Sequence, residues 1–322
     1  MRSSLVYFGL SAAVLLSLLA TPVHVSADIN PLKVDVEVKR AGESSPYNLH
    51  ETNHKQSGKV IFEDNFDSDK LDDKYWSYEL GDGCKYGICG WGNDEKQVYD
   101  DKSVKTGVKL GLGKLFSRKR YLQITARRVT SSEKPVVTKP RQTGSSWTSG
   151  KILTRDKFTF RYGRVDVRAR LPVVDGAFPA IWMLPQDNAY GIWPNSGEID
   201  ITEYQSIWRK KHQPEQMRTP GSLHFAKYHG ATAKSFWAEG NDPSEWHVYS
   251  MIWREDGVKF LLDGKEYGSY TPPTTQDPTE WPFNKPFYLI MNLAIEPGFG
   301  TKVPADVNKI TMEVDWIRVT KE

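Results

Sequence analysis

The sequence predicts an all-β fold, an antiparallel sandwich or barrel, on three observations. Arg164-Val165-Asp166-Val167-Arg168-Ala169-Arg170 alternates charged and apolar residues, as a half-buried strand does. Between Trp246 and Tyr270, Asp256-Gly257 and Asp263-Gly264 separate three apolar runs, the pattern of two hairpins in succession. No segment longer than about ten residues has a capped helical period, so strand–helix alternation and a doubly wound sheet are excluded.

Taken in order, the chain opens with Met1-Arg2-Ser3-Ser4, an apolar run from Leu5 to Ala20, Pro22, and the small-residue site Val25-Ser26-Ala27. This is the layout of a secretory signal peptide over residues 1–27, and the run is short for a span of roughly 20 residues. Residues 28–58 are polar and aperiodic, a linker or disordered leader. Residues 59–322 form one large β domain, with further strands at Phe287–Met291 and from Met312 to Val319. No later stretch is long and apolar enough to span a bilayer. The chain is therefore expected to be secreted, with no membrane contact after cleavage, and to act as a monomer. The 43 Lys+Arg against 40 Asp+Glu give a net charge of +3, which supports no nucleic-acid partner. The 11 Trp and 15 Tyr suit sugar stacking, or equally an aromatic β core.

Only two cysteines occur, Cys84 and Cys89, around Lys85-Tyr86-Gly87-Ile88. In an oxidising compartment one disulfide closes such a loop. A zinc site would need two more ligands, and no His lies nearby in sequence.

The chemistry is concentrated in Gly197-Glu198-Ile199-Asp200-Ile201-Thr202-Glu203. On a strand, Glu198 and Asp200 share a face while Ile199 and Ile201 face the core. Glu203 stands five residues from Glu198, so a regular strand would send it to the wrong face. One β-bulge near Ile201-Thr202 restores the phase. A row of three acids is costly, because each like charge raises its neighbours' pKa. Retaining glycoside hydrolysis uses that cost: one carboxylate attacks while another, kept protonated, acts as acid and then base. The competing reading is a solvated strand face with three unrelated acids.

Aromatic residues crowd this segment in Phe178–Pro185 and in Tyr190-Gly191-Ile192-Trp193-Pro194. Here the sequence resembles glycoside hydrolase family 16, in particular its laminarinase-like β-1,3-glucanases. The resemblance also rests on Gly90-Trp91-Gly92-Asn93-Asp94-Glu95 with Gln97-Val98-Tyr99, on Tyr162–Val165, on Ser222-Leu223-His224-Phe225 and on Val314–Val319. It covers about residues 60–320 and implies a β-jelly-roll sandwich (concanavalin-like) with a concave substrate cleft. By position Glu198 would be the nucleophile, Asp200 its helper and Glu203 the acid/base. The extra residue before the last Glu matches the laminarinase branch. Asn93, Trp182, Trp193 and His224 would line the cleft. Trp182 has a second reading as core packing, and His224 as a structural hydrogen-bonding residue. No cofactor is required, but Asp315 matches the position of a structural calcium site found in part of the family.

Two departures stand out. Family members often carry Gly-Gly after Asn-x-Ala, where this chain has Asn292-Leu293-Ala294-Ile295-Glu296. Residues 109–157 hold 13 Lys/Arg against Glu133 and Asp156, either a solvated surface or a dock for an acidic polysaccharide. The resemblance implies a secreted, retaining endo-β-1,3-glucanase with a β-glucan as its partner. The alternatives are a non-catalytic β-glucan recognition protein and a transglycosylase on the same scaffold.

Overall fold

Period-two alternation sorts the strands into two sheets with a shared core between them. The computed structural model describes residues 58–109, 120–129, 146–209 and 217–321. The chain divides into residues 1–55 and 56–322, and the described residues belong to the second unit. The signal-peptide and leader readings, Gly58 aside, lie outside the described residues.

The strands run β1 (Lys59–Asp64), β2 (Ser77–Tyr78), β3 (Gln97–Tyr99), β4 (Val104–Lys109), β5 (Arg120–Arg128) and β6 (Trp147–Ser149). Next come β7 (Lys151–Leu153), β8 (Gly163–Arg170), β9 (Ala177–Pro185), β10 (Glu198–Glu203), β11 (Arg218–His224) and β12 (Lys234–Glu239). The last are β13 (His247–Arg254), β14 (Gly257–Leu262), β15 (Lys265–Tyr270), β16 (Phe287–Ile295) and β17 (Lys309–Lys321). One sheet is ordered β15-β14-β13-β8-β17-β5-β6-β3, with β1 on β17 and β4 on β5. The other is ordered β12-β11-β10-β9-β16-β7-β2. The result is the jelly-roll sandwich the resemblance implies. Its helical content among the described residues is four short 3₁₀ turns. One pairing departs from the antiparallel expectation: Gln97–Tyr99 runs parallel to Trp147–Ser149. The chain separating these two strands is long enough for the crossover a parallel pair requires.

The alternation in β8 places Val165, Val167 and Ala169 in the core. Its charged residues lie on the opposite face, where Arg164 bonds the buried Asp166 at 2.7–2.9 Å. The 246–270 region forms the two expected hairpins, β13–β14 and β14–β15. Trp76, Trp147, Trp253 and Trp281 are fully buried, so part of the tryptophan content is packing. Trp253 meets Phe160, Tyr162 and Phe287 at ring distances of 5.3–5.8 Å and donates to the Phe283 carbonyl at 3.0 Å. Truncating Trp253 to Ala leaves a ring-sized void that close-packed β-sheets cannot fill. The expected loss is about 3–5 kcal/mol, read from urea unfolding at unchanged m-value.

The described members of the basic 109–157 run are dispersed rather than gathered into one dock. Arg120 pairs with Asp69 at 2.7 Å, Arg128 lies over Trp147 at 4.6 Å, and Lys157 donates to the Asp73 and Trp76 carbonyls. Lys151 is buried in the other sheet. The run's insertion-like part, including Arg118 and Lys119, lies outside the described residues.

Candidate active site

The acidic row sits on β10, an interior strand of the seven-stranded sheet. Gly197 admits the chain to β10 with φ +90°, and a Cβ there would stand 2.8 Å from the Phe283 ring. Only glycine combines that dihedral with that approach. Along β10, Asp200 faces Trp182 across the sheet, yet Thr202 faces Ile181, so Ile201 is the extra residue of a bulge. Ile199 and Ile201 are fully buried. The bulge brings Glu203 opposite Ala180, the residue two before Trp182, and hence onto the face of Glu198 and Asp200.

On β11, Glu198 lies opposite His224 and Asp200 opposite Ser222. One ligating atom each from Glu198, Asp200 and His224 lies within 4.8 Å of the others. Trp193 is half exposed and donates its indole N–H to Glu198 Oε2 at 2.6 Å. Its ring stands 6.1 Å from His224 and 5.8 Å from His229. Asp200 is buried with neither oxygen in a well-aligned hydrogen bond, and His224 Nε2 lies 3.2 Å from Oδ2.

Burial and then the Asp200 charge push Glu198 up to about 8, although His224 and the Trp193 N–H pull the other way. Burial likewise holds Glu203 well above the usual carboxylate range, with Asp200 adding to the effect. Among the described residues no side chain donates a hydrogen bond to Glu203, whereas Glu198 has Trp193. Both carboxyls are thus held toward the neutral form, and only Glu198 has a donor that supports its anion. Glu198 and Asp200 lie close enough to share a proton.

For His224, burial lowers the pKa, but Asp200 and the two glutamates outweigh it and hold it up to about 9. The Gly230 N–H, 3.1 Å from Nδ1, pulls the other way because it needs that nitrogen's lone pair. The hydrogen bond is local and directional. It favours a proton on Nε2 toward Asp200 and opposes the second proton that the surrounding carboxylates favour.

Of the other expected cleft residues, Trp182 lies on the same face and donates to Asn292 Oδ1 at 2.6 Å. It packs against Leu153, Tyr288 and Ile290, outside the main core. Asn93 is not beside the acids by any hydrogen bond: its amide reaches Glu95 at 3.2 Å, and its carbonyl accepts from Gly298 at 2.7 Å. Cys84 and Cys89 are bonded as a disulfide.

Asp315 does not fit a calcium ion as arranged. It lies where β17 slips register against β8, and its carboxylate pairs with Arg168. Nearby Asp64 accepts from the Phe66 backbone and the Trp76 indole at 2.8 and 2.9 Å. A resident guanidinium already neutralises the carboxylate that a cation would use.

Sequence reasoning missed a buried polar group beside the row. Glu95 accepts from Gln97 at 2.6 Å, Asn292 donates to Tyr99 Oη at 3.1 Å, and Lys151 lies over Trp182 at 5.2 Å. Its only sequence signal was Glu95, Gln97 and Tyr99 recurring two residues apart. At the departure from Gly-Gly, Glu296 adopts a left-handed φ of +49°, and its carboxylate accepts the Val303 N–H at 3.1 Å. That bond offsets part of the strain which glycine avoids.

Residues 91–318 match the family model for glycosyl hydrolases family 16. The chain belongs to that family. A glucan endo-1,3-beta-glucosidase A1 from Niallia circulans is 35% identical over 82% of this chain, which spans 38% of that protein's length. A beta-glucanase from Rhodothermus marinus is 30% identical, with 81% of this chain and 84% of the relative covered. Among solved structures, the laminarinase from Flavobacterium sp. UMI-01 superposes with a TM-score of 0.66 at 33% identity, covering 82% of this chain and 100% of that one. As a family 16 member the chain is a glycoside hydrolase by class. No helix among the described residues is long and apolar enough to cross a membrane.

Proposed function

We propose that this chain is a secreted endo-β-1,3-glucanase that cleaves laminarin-like chains with retention of configuration. The observation that carries the reading is the bulge at Ile201, which puts Glu198, Asp200 and Glu203 on one face beside Trp193. Glu198 attacks the anomeric carbon while Glu203 gives its proton to the departing glycosidic oxygen. The bond breaks and a glycosyl-enzyme ester forms on Glu198. Glu203, now ionised, takes a proton from water, which attacks the same carbon and frees Glu198. Asp200 holds Glu198 in place and shares its proton, and His224 steadies Asp200 from the far side.

A transglycosylase would use the same steps with a sugar hydroxyl in place of water. Secretion rests on residues 1–27 and on a disulfide suited to an oxidising compartment. Reducing-sugar release from laminarin, lichenan, agar and xyloglucan tests the reading, with laminarin expected to be the best substrate. Binding to laminarin without sugar release would favour the recognition protein and overturn it.

The pH profile follows from the raised Glu203. The active form needs Glu203 protonated, so the rate is lost as pH rises through its pKa. The rate is also lost at low pH, where the nucleophile Glu198 is neutral. A rate with no alkaline fall at all would contradict this assignment. In Asp200→Asn the like charge is gone, so the surviving alkaline limb should move to lower pH.

A further inference from the structure

Trp182 reaches the catalytic face with little of the shared core around it. It is partly buried, lies opposite Asp200 on the neighbouring strand, and packs on the small cluster of Leu153, Tyr288 and Ile290. Its indole edge is held by one hydrogen bond, from Nε1 to Asn292 Oδ1 at 2.6 Å. An asparagine amide has nearly the same shape either way round, so that bond lasts only while something sets the amide's direction. Asn292 is buried, and its NH2 donates to Tyr99 Oη at 3.1 Å. A hydroxyl that accepts there is left to donate its own proton elsewhere, and Glu95 Oε2 lies 3.4 Å away.

The far end of this chain is fixed as firmly as the near end. Glu95 Oε2 also accepts from Gln97 Nε2 at 2.6 Å, and Oε1 accepts from the Asn93 amide at 3.2 Å. The Gln97 amide cannot turn round, because its oxygen accepts the Ile295 backbone N–H at 2.8 Å. A backbone N–H and an indole N–H can only donate. Every bond between those two ends therefore runs toward Glu95: from Ile295 through Gln97, and from Trp182 through Asn292 and Tyr99. Burial pushes the Glu95 pKa up, and the Gln97 and Asn93 amides, Lys151 and Tyr99 counter that rise. Asn292 and Ile295 both belong to β16, which is buried along its whole length and pairs with β9, so the chain is anchored in the sheet that carries Trp182.

We propose that Tyr99 is a positioning residue for the reaction. Its hydroxyl, aimed by Glu95, sets the direction of the Asn292 amide and, through it, the angle at which Trp182 meets the sugar being cleaved. Without that hydroxyl the Asn292 NH2 loses its acceptor, and the amide is free to turn that group toward the Trp182 N–H. Two donors then face each other, and the indole swings out of place beside Asp200. The role of Trp182 toward the sugar rests on the glucanase reading, whereas the hydrogen-bond chain does not.

The test is Tyr99→Phe, which removes one oxygen and keeps the ring. With isotopically labelled tryptophan, the Trp182 indole N–H resonance is the one lost in Trp182→Phe. It should move upfield in Tyr99→Phe as its hydrogen bond weakens, while the Trp253 indole, bonded to the Phe283 carbonyl, stays in place. On laminarin, Tyr99→Phe should lower kcat by about tenfold with a smaller change in KM. In the Trp182→Phe background the same substitution should cost less than about twofold, because the link it acts through is already cut. A Trp182 resonance that does not move in Tyr99→Phe would overturn the inference. So would an equal rate loss in both backgrounds, which is what general loosening of the fold gives. If the unaltered protein releases no sugar from laminarin, the glucanase reading falls and this inference falls with it, even where the indole moves.

Discussion

Glu198→Gln is expected to lower kcat on laminarin by roughly 10⁴-fold, the scale on which loss of a covalent nucleophile acts. The amide keeps the shape of the carboxyl and can still accept the Trp193 N–H, now 2.6 Å from Oε2. Substrate binding should therefore survive, with KM changed far less than kcat. The attacking oxygen is what disappears. A second experiment separates attack from mere electrostatic help. In Glu198→Ala, azide can enter the vacated space and attack an activated aryl glycoside directly, giving a glycosyl azide of inverted configuration. Recovery of rate with that product assigns the nucleophile. Residual activity within tenfold of the parent in Glu198→Gln, or an azide product of retained configuration, would remove Glu198 from the role.

The acids themselves were legible in sequence because strand geometry is local. Glu198 and Asp200 share a face by period two, and the odd offset of Glu203 already demanded the bulge found at Ile201. The disulfide was legible for the same reason, its two cysteines being five residues apart. The sandwich followed from alternation in β8 and from the Asp-Gly turns of the 246–270 hairpins. What depends on strand order was not legible. Asp315 alone can serve a cation or an arginine, and only the pairing of β17 with β8 brings Arg168 to it. Lys151 reads in sequence as one more member of a basic run. Its burial arises because β7 pairs with β16, which sets it beside Asn292 among rings drawn from residues 91, 99 and 182. The tryptophans divide on the same ground. Trp253 and Trp182 both occur in apolar strands, but Trp253 faces the shared core and Trp182 the face of Asp200.

Glu203→Gln should depend on the leaving group in a way that Glu198→Gln does not. General acid catalysis supplies about 10²–10⁴-fold, so hydrolysis of laminarin, whose leaving group is a poorly acidic sugar hydroxyl, should fall by roughly 10³-fold. An aryl glycoside with an acidic phenol leaves without a proton, so its first step should be nearly unaffected. The glycosyl-enzyme then accumulates, because no base remains to deprotonate the incoming water. A burst of phenol followed by slow turnover is the expected trace, and azide, which needs no base, should speed the slow phase. The electrostatics give the reason for this division of labour. Both glutamates are buried against the same Asp200 charge, and both are pushed up. Glu198 has an indole donor and the imidazole close by to support its anion, while no described side chain donates to Glu203. As pH rises Glu198 thus gives up its proton before Glu203 does. The alkaline limb of the laminarin profile should accordingly vanish in Glu203→Gln. If that limb persists unchanged, the titrating acid is a different group and the assignment of Glu203 fails.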